Sequence, residues 1–216
     1  LDAEELELVS VTLDGEPLSP QSGPGGRGFV YDESGLRLYG ARAPEAWVET
    51  VVRIHPARNT ALSGLYRSGT GLFTQCEAQG FRRITPFPDR PDVMARFHVT
   101  LEADEARYPV LLSNGNLQET VRLPGGRHRA VWVDPFPKPC YLFALVAADL
   151  QALEREVGLA DGRRALLQVW VKPEHLTRAD WALASLEAAL RWDERRFGRV
   201  LDLDRYMIVA VSDFNM

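Results

Sequence analysis

The sequence predicts a mainly β protein: an antiparallel β-sandwich or saddle-like assembly over residues 1–149, then a strand–helix–strand unit over 150–216. Three observations predict it. Short segments alternating apolar and polar residues recur through the first part. Turn signals rich in Gly, Pro, Asn and Asp separate them at short intervals. After residue 150 the apolar spacing changes to that of a helix.

Residues 6–13 (LELVSVTL) alternate, as a half-buried strand does. Residues 29–31 and 36–39 flank Asp32-Glu33-Ser34-Gly35, a hairpin turn. Residues 48–54 are rich in β-branched side chains. Over 93–102, Val93, Ala95, Phe97, Val99 and Leu101 share one face, and Met94, Arg96, His98 and Thr100 the other. Residues 110–112 lead into Ser113-Asn114-Gly115-Asn116, a strong turn signal. Residues 121–123 and 130–133 flank Pro124-Gly125-Gly126, another turn. The three prolines of 134–139 predict a stiff, extended connector. A strand is predicted over 140–147.

In the second part, residues 165–171 predict a strand. Thr177 reads as an N-cap with Asp180 three residues on. Leu183, Leu186, Leu190 and Phe197 recur at helical spacing, predicting a helix over 178–197. Arg195 and Arg196 suit its last turn, and Gly198 suits the position just beyond it. Residues 206–211 (YMIVAV) predict a strand buried on both faces. The chain stops soon after, which predicts a truncated unit whose apolar surface takes a partner.

Hydrophobic residues make up 45% and charged residues 25%, enough for a real core. The net charge of −5 and the lack of a basic block exclude nucleic acid as a partner. No apolar run approaches the roughly 20 residues of a membrane helix, so no membrane partner is expected. The acidic start lacks a signal-peptide pattern. Cys76 and Cys140 lie far apart and form no CxxC pair, so both read as small buried hydrophobes in a reduced compartment. A cytoplasmic location follows as an expectation.

The four histidines, His55, His98, His128 and His175, form no HExxH, and no two are spaced as zinc ligands. No metal site and no catalytic residue are expected within this chain. There is no GxSxG elbow, Walker loop or GxGxxG. The run Gly23-Pro24-Gly25-Gly26 reads as a flexible turn. The informative stretch is Thr74-Gln75-Cys76-Glu77-Ala78-Gln79-Gly80-Phe81-Arg82, followed by Asp89-Arg90-Pro91-Asp92. In an extended segment Gln75 and Glu77 point the same way. A carboxylate suits a cationic amine, and a nearby amide adds directional hydrogen bonds. From the residues alone, a solvated loop whose Glu77 pairs with Arg82 or Arg83 carries more weight.

Residues 59–97 (NTALSGLYRSGTGLFTQCEAQGFRRITPFPDRPDVMARF) resemble the corresponding region of the bacterial aminopeptidase N family. So do YPVLLSNGN, DPFPKPCYLFALVA, WDERRFG and the tail DLDRYMIVAVSDFNM, in the same order. Residues 1–58 match only by strand pattern. The resemblance implies a zinc exopeptidase that removes residues from peptide N-termini. It implies a β domain over 1–149 and the truncated start of a thermolysin-like catalytic domain over 150–216. It makes Glu77 the group that binds the substrate α-ammonium, with Gln75 assisting and lining the pocket for the first side chain. Met216 becomes a soft wall of that pocket, just before the family's GAMEN motif; without the family it is an ordinary core methionine. GAMEN, HExxH and the distant glutamate ligand all come later, so zinc belongs to the full-length enzyme and the isolated chain is expected to be inactive. An epoxide-hydrolysing branch carries glutamine where Glu77 stands, so Glu77 favours a dedicated aminopeptidase. The expected partners are peptides with a free N-terminus and the remainder of the catalytic domain. The alternative is a non-catalytic β-rich scaffold or peptide-docking module.

Overall fold

The computed structural model describes residues 1–21, 26–41 and 45–214. Most of the glycine run at 23–26, and Met216, therefore lie outside the described residues. The alternating segments form strands β1 (Glu7–Leu13), β2 (Glu16–Pro17), β3 (Gly28–Asp32), β4 (Gly35–Tyr39) and β5 (Val48–Arg53). β6 (Gly64–Ser68), β7 (Gly71–Gln75), β8 (Met94–Asp104), β9 (Val110–Ser113), β10 (Asn116–Leu123), β11 (Arg127–Pro139) and β12 (Leu145–Ala148) follow. The chain then runs through β13 (Gln151–Gly158), β14 (Arg164–Val171), α1 (Asp180–Phe197) and β15 (Arg205–Val209).

The fold is mainly β, as predicted. The sheets are ordered β2-β1-β5, β10-β11-β8, β6-β7-β12-β9 and β13-β14-β15, with β3-β4 as a separate hairpin. Each strand pair is antiparallel except β14 with β15. β8 shows the predicted two-residue alternation along its whole length, with the face led by Val93 turned inward.

Between the four-stranded sheet and β8-β11-β10 lies a core of Tyr66, Phe73, Leu111, Trp132 and Val146. A smaller core of Val11, Leu13, Phe29 and Leu36 joins β1 to the β3-β4 hairpin. In the second part, Leu183, Leu186 and Leu190 of α1 pack on Ala165, Leu167, Val169 and Val171. The even-numbered face of β14 turns the other way, and Trp170 packs with Met207 and Val209 against the main core. One sheet thus serves two cores, because residues two apart on a strand share a face.

Several sequence expectations need correction. The predicted strand over 140–147 is shorter: Cys140–Leu142 form a short 3-10 helix and pairing starts at Leu145. The proline connector is the end of β11, whose register with β8 breaks between Asp134 and Lys138. Prolines lack the N–H that the ladder needs, so the break falls where they sit. Thr177 is not the cap, since Pro173–Arg178 wind into a separate 3-10 helix and α1 starts at Asp180 with no side-chain cap. Phe197 is 59% exposed and rests edge-on against Trp192 rather than in the core. Residues 206–211 are not buried on both faces, because β15 is a sheet edge and Tyr206 is exposed. Gly198 does take the left-handed conformation beyond α1 (φ 62°) and donates to the Glu194 carbonyl.

Candidate functional site

β6 and β7 form a tight hairpin with Gly64 opposite Gln75 and Tyr66 opposite Phe73. β7 ends at Gln75, and residues 77–80 turn sharply into the 3-10 helix Phe81–Arg83. Gln75 and Glu77 are therefore not on one extended segment, contrary to the expectation from their spacing. The amide of Gln75 is buried, whereas Glu77 is exposed on the turn. They remain adjacent, with Gln75 Nε2 donating to the Glu77 carbonyl at 3.4 Å. The Glu77–Ala78 peptide bond is cis.

The turn is held from beneath. Cys76 and Phe81 are buried with Cys140 and Phe143 in a small core. Phe81 meets Phe87 and Phe143 edge-on, at 5.1 and 5.0 Å between centroids. That geometry suits the ring quadrupoles. The N–H of Gly80 donates to the Cys76 carbonyl at 2.8 Å and closes the turn.

Asp89 is the electrostatic lock. Its carboxylate accepts from the Arg82 backbone N–H (3.1 Å), from Arg82 Nε (3.0 Å) and from the Cys140 thiol (3.0 Å). Its own N–H donates to the Asp2 carboxylate at 2.9 Å. Arg83 pairs with Glu4 (2.6 Å) and with Glu5. Both arginines that could have neutralised Glu77 are thus engaged by other carboxylates. Among the described residues the Glu77 carboxylate has no hydrogen-bond or ion-pair partner. The simpler alternative drawn from the sequence, a Glu77–Arg82 or Glu77–Arg83 pair, is absent there.

The sequence does not single out the Arg82–Asp89 pair. Its signal is only a charge pair across two short turns, which alone does not distinguish it from Arg90–Asp92 on the surface.

Burial pushes the Cys76 thiol up to about 12, helped by its neighbours Cys140 and Asp89. Burial also pushes Cys140 up to about 12, helped by its hydrogen bond to Asp89. Both are free thiols. Above the ordinary thiol value near 9 the unfolded chain loses these protons while the folded chain keeps them. Their contribution to stability is complete below that pH and is lost as pH rises toward 12. In melts between pH 8 and 11, wild type should therefore lose stability more steeply than Cys76→Ala or Cys140→Ala. Equal slopes would contradict this.

Among the described residues no group of three or more His, Cys, Asp or Glu side chains could hold a metal. His128 is buried and bonded to the Tyr108 carbonyl at 2.7 Å, and His55 lies 3.8 Å from Glu7 alone. These residues do not fit zinc. Nor, among the described residues, is any helix long and apolar enough to cross a membrane.

Residues 49–142 match the family model described as the Peptidase M1 N-terminal domain. Over its whole length the chain is 52% identical to aminopeptidase N of Caulobacter vibrioides and 48% identical to aminopeptidase N of Escherichia coli. It spans 24% of each of those relatives, about a quarter of their length. Among solved structures it is similar to Legionella pneumophila aminopeptidase A in complex with aspartic acid, with a TM-score of 0.90 and 33% identity, over 99% of this chain and 24% of that one.

Proposed function

Because the chain belongs to the aminopeptidase N family, we propose that it is the substrate-anchoring portion of a longer zinc aminopeptidase acting on peptides with a free N-terminus. In this reading residues 1–149 form the N-terminal β domain and 150–216 open the catalytic domain. The remainder of that domain supplies the zinc, and this chain alone is inactive. The two buried free thiols favour a cytoplasmic setting.

The observation that carries the reading is the Glu77 carboxylate, exposed on a rigidly braced turn with its candidate arginine partners engaged elsewhere. An unneutralised anion held in place is what an α-ammonium group needs. Such an anion at the closed end of a cleft selects for exopeptidase action: an internal peptide bond offers no cation to pair with it. Gln75 lies buried at the root of the same turn, where its amide braces the Glu77 backbone and borders the first side chain of a bound peptide. Met216 follows Asp213 by three residues and, as a flexible thioether, would wall the same pocket. The aspartic acid named in the Legionella complex is itself a free amino acid, which agrees with an amine-binding site.

Glu77→Gln in the full-length protein tests this. KM on an alanyl anilide should rise and kcat/KM should fall roughly ten- to a hundredfold, the loss of one charge-assisted hydrogen bond. Unchanged kinetics would refute the anchor.

A further inference from the structure

A groove of about 470 Å³ lies between the first and second parts of the chain. The β9–β10 turn at Ser113-Asn114-Gly115 and Lys138 of β11 border it on one side, and residues 201–209 border it on the other. Ser113 donates to the Ala144 carbonyl at 2.8 Å. Asn114 donates to the Leu142 carbonyl at 3.0 Å and accepts from the Ala144 N–H at 2.6 Å. Lys138 pairs with Asp134. The polar side chains contributed by the first part are thus satisfied within the chain.

Arg205, on the opposite side, is not. Its guanidinium lies over the Trp132 ring, 5.3 Å from the centroid. That contact uses the ring face and none of the five N–H donors. Its Nε is buried with no hydrogen-bond partner, and among the described residues no carboxylate forms an ion pair with it. Asp204 and Glu154 favour its charge only through space, and burial lowers its pKa. Glu154 is bonded to Gln168 instead. Asp202, on the rim, is exposed and pairs with neither cation.

A part-buried guanidinium is costly without a carboxylate, so charge complementarity calls for an acidic occupant. The groove also runs along β15, whose outer edge is unpaired because β14 is its one sheet neighbour. Unpaired edge N–H and C=O groups suit a peptide segment better than a free small molecule.

We propose that the groove receives an acidic side chain from the remainder of the full-length protein, whose carboxylate pairs with Arg205. This rests on the reading of the chain as part of a longer aminopeptidase. Arg205 then fastens three pieces together: it belongs to the second part, stacks on Trp132 of the first and pairs with the remainder.

The full-length Arg205→Lys variant tests this with a carbodiimide, which couples an amine to a carboxylate in contact with it. Peptide mass mapping should show a crosslink from position 205 to an Asp or Glu beyond residue 216. Wild type should lack it, because a guanidinium does not couple. Octanoate titrated into the wild-type protein should show no binding. In wild type, Arg205 should also resist the arginine reagent phenylglyoxal, whereas Arg122, 84% exposed, reacts. A crosslink confined to Glu154, Asp202 or Asp204, or no new crosslink, overturns the proposal. So does labelling of Arg205 as fast as Arg122. Octanoate binding that is lost in Arg205→Gln also overturns it, since the groove is then a site for free carboxylates. Aminopeptidase activity of the wild type tests the underlying reading separately. An active enzyme without the crosslink sinks the pairing alone, and an inactive one sinks that reading.

Discussion

An Asp89→Ala variant loosens the turn that carries Glu77 by about 3–5 kcal/mol, the range for removing one partner of a buried ion pair. The Asp89 side chain is 1% exposed and bonds to three donors at once. Without it, the Arg82 guanidinium keeps its bond to the backbone carbonyl of residue 89 at 3.1 Å, and its remaining carboxylate is the more distant Asp2, at 3.7 Å. Its backbone N–H and the Cys140 thiol lose their acceptor. The effect is local before it is global, because Asp89 and Arg82 tie Phe81 and the turn above it to the N-terminal residues. Native-state hydrogen exchange across residues 76–90 in the full-length protein measures it directly. Opening free energies there should drop while those of β8 and β11 hold. The displaced Glu77 should raise KM in the same variant. Unchanged protection in 76–90 would mean that the lock does not brace the turn.

Gly80→Ala should cost about 3 kcal/mol, the upper end of the usual range for overpacking. The reason is space, since the φ of Gly80 is an ordinary −84°. A Cβ there would stand 2.8 Å from the Gly64 amide nitrogen and 2.9 Å from Ser63 Oγ, and closer still to the Gln75 carbonyl oxygen. Two of these three atoms are backbone and cannot rotate away. Relief requires the end of β7 to shift, and that moves Gln75 and Glu77 together. Gly80→Ala should therefore lower both the melting temperature and kcat/KM. A variant with native stability and native kinetics would show that the hairpin tolerates the extra methyl group.

Local patterns were legible where one face of an element meets a core. The alternation of β8 and the leucine spacing of α1 each report a single buried face, and the odd-numbered residues of β8 and Leu183, Leu186 and Leu190 of α1 do turn inward. Legibility failed where neighbours decide. β15 is as apolar as a doubly buried strand, yet it lies at a sheet edge, and no periodicity distinguishes the two. The shortening of β12 follows from the 3-10 helix that seats Cys140 against Asp89, a contact 51 residues away in sequence. β6 and β7 offer only short, glycine-bounded runs, and their alternation emerges once they pair.

The sequence by itself determined the family, the mainly β class, and the choice of Gln75 and Glu77 as candidate residues, because ordered words and residue types survive without coordinates. Only the tertiary structure decided whether Glu77 is ion-paired. Whether its carboxylate has an ion-pair partner depends on where Arg82 and Arg83 turn, and those side chains answer to Asp89, Asp2, Glu4 and Glu5, partners that only folding brings within reach.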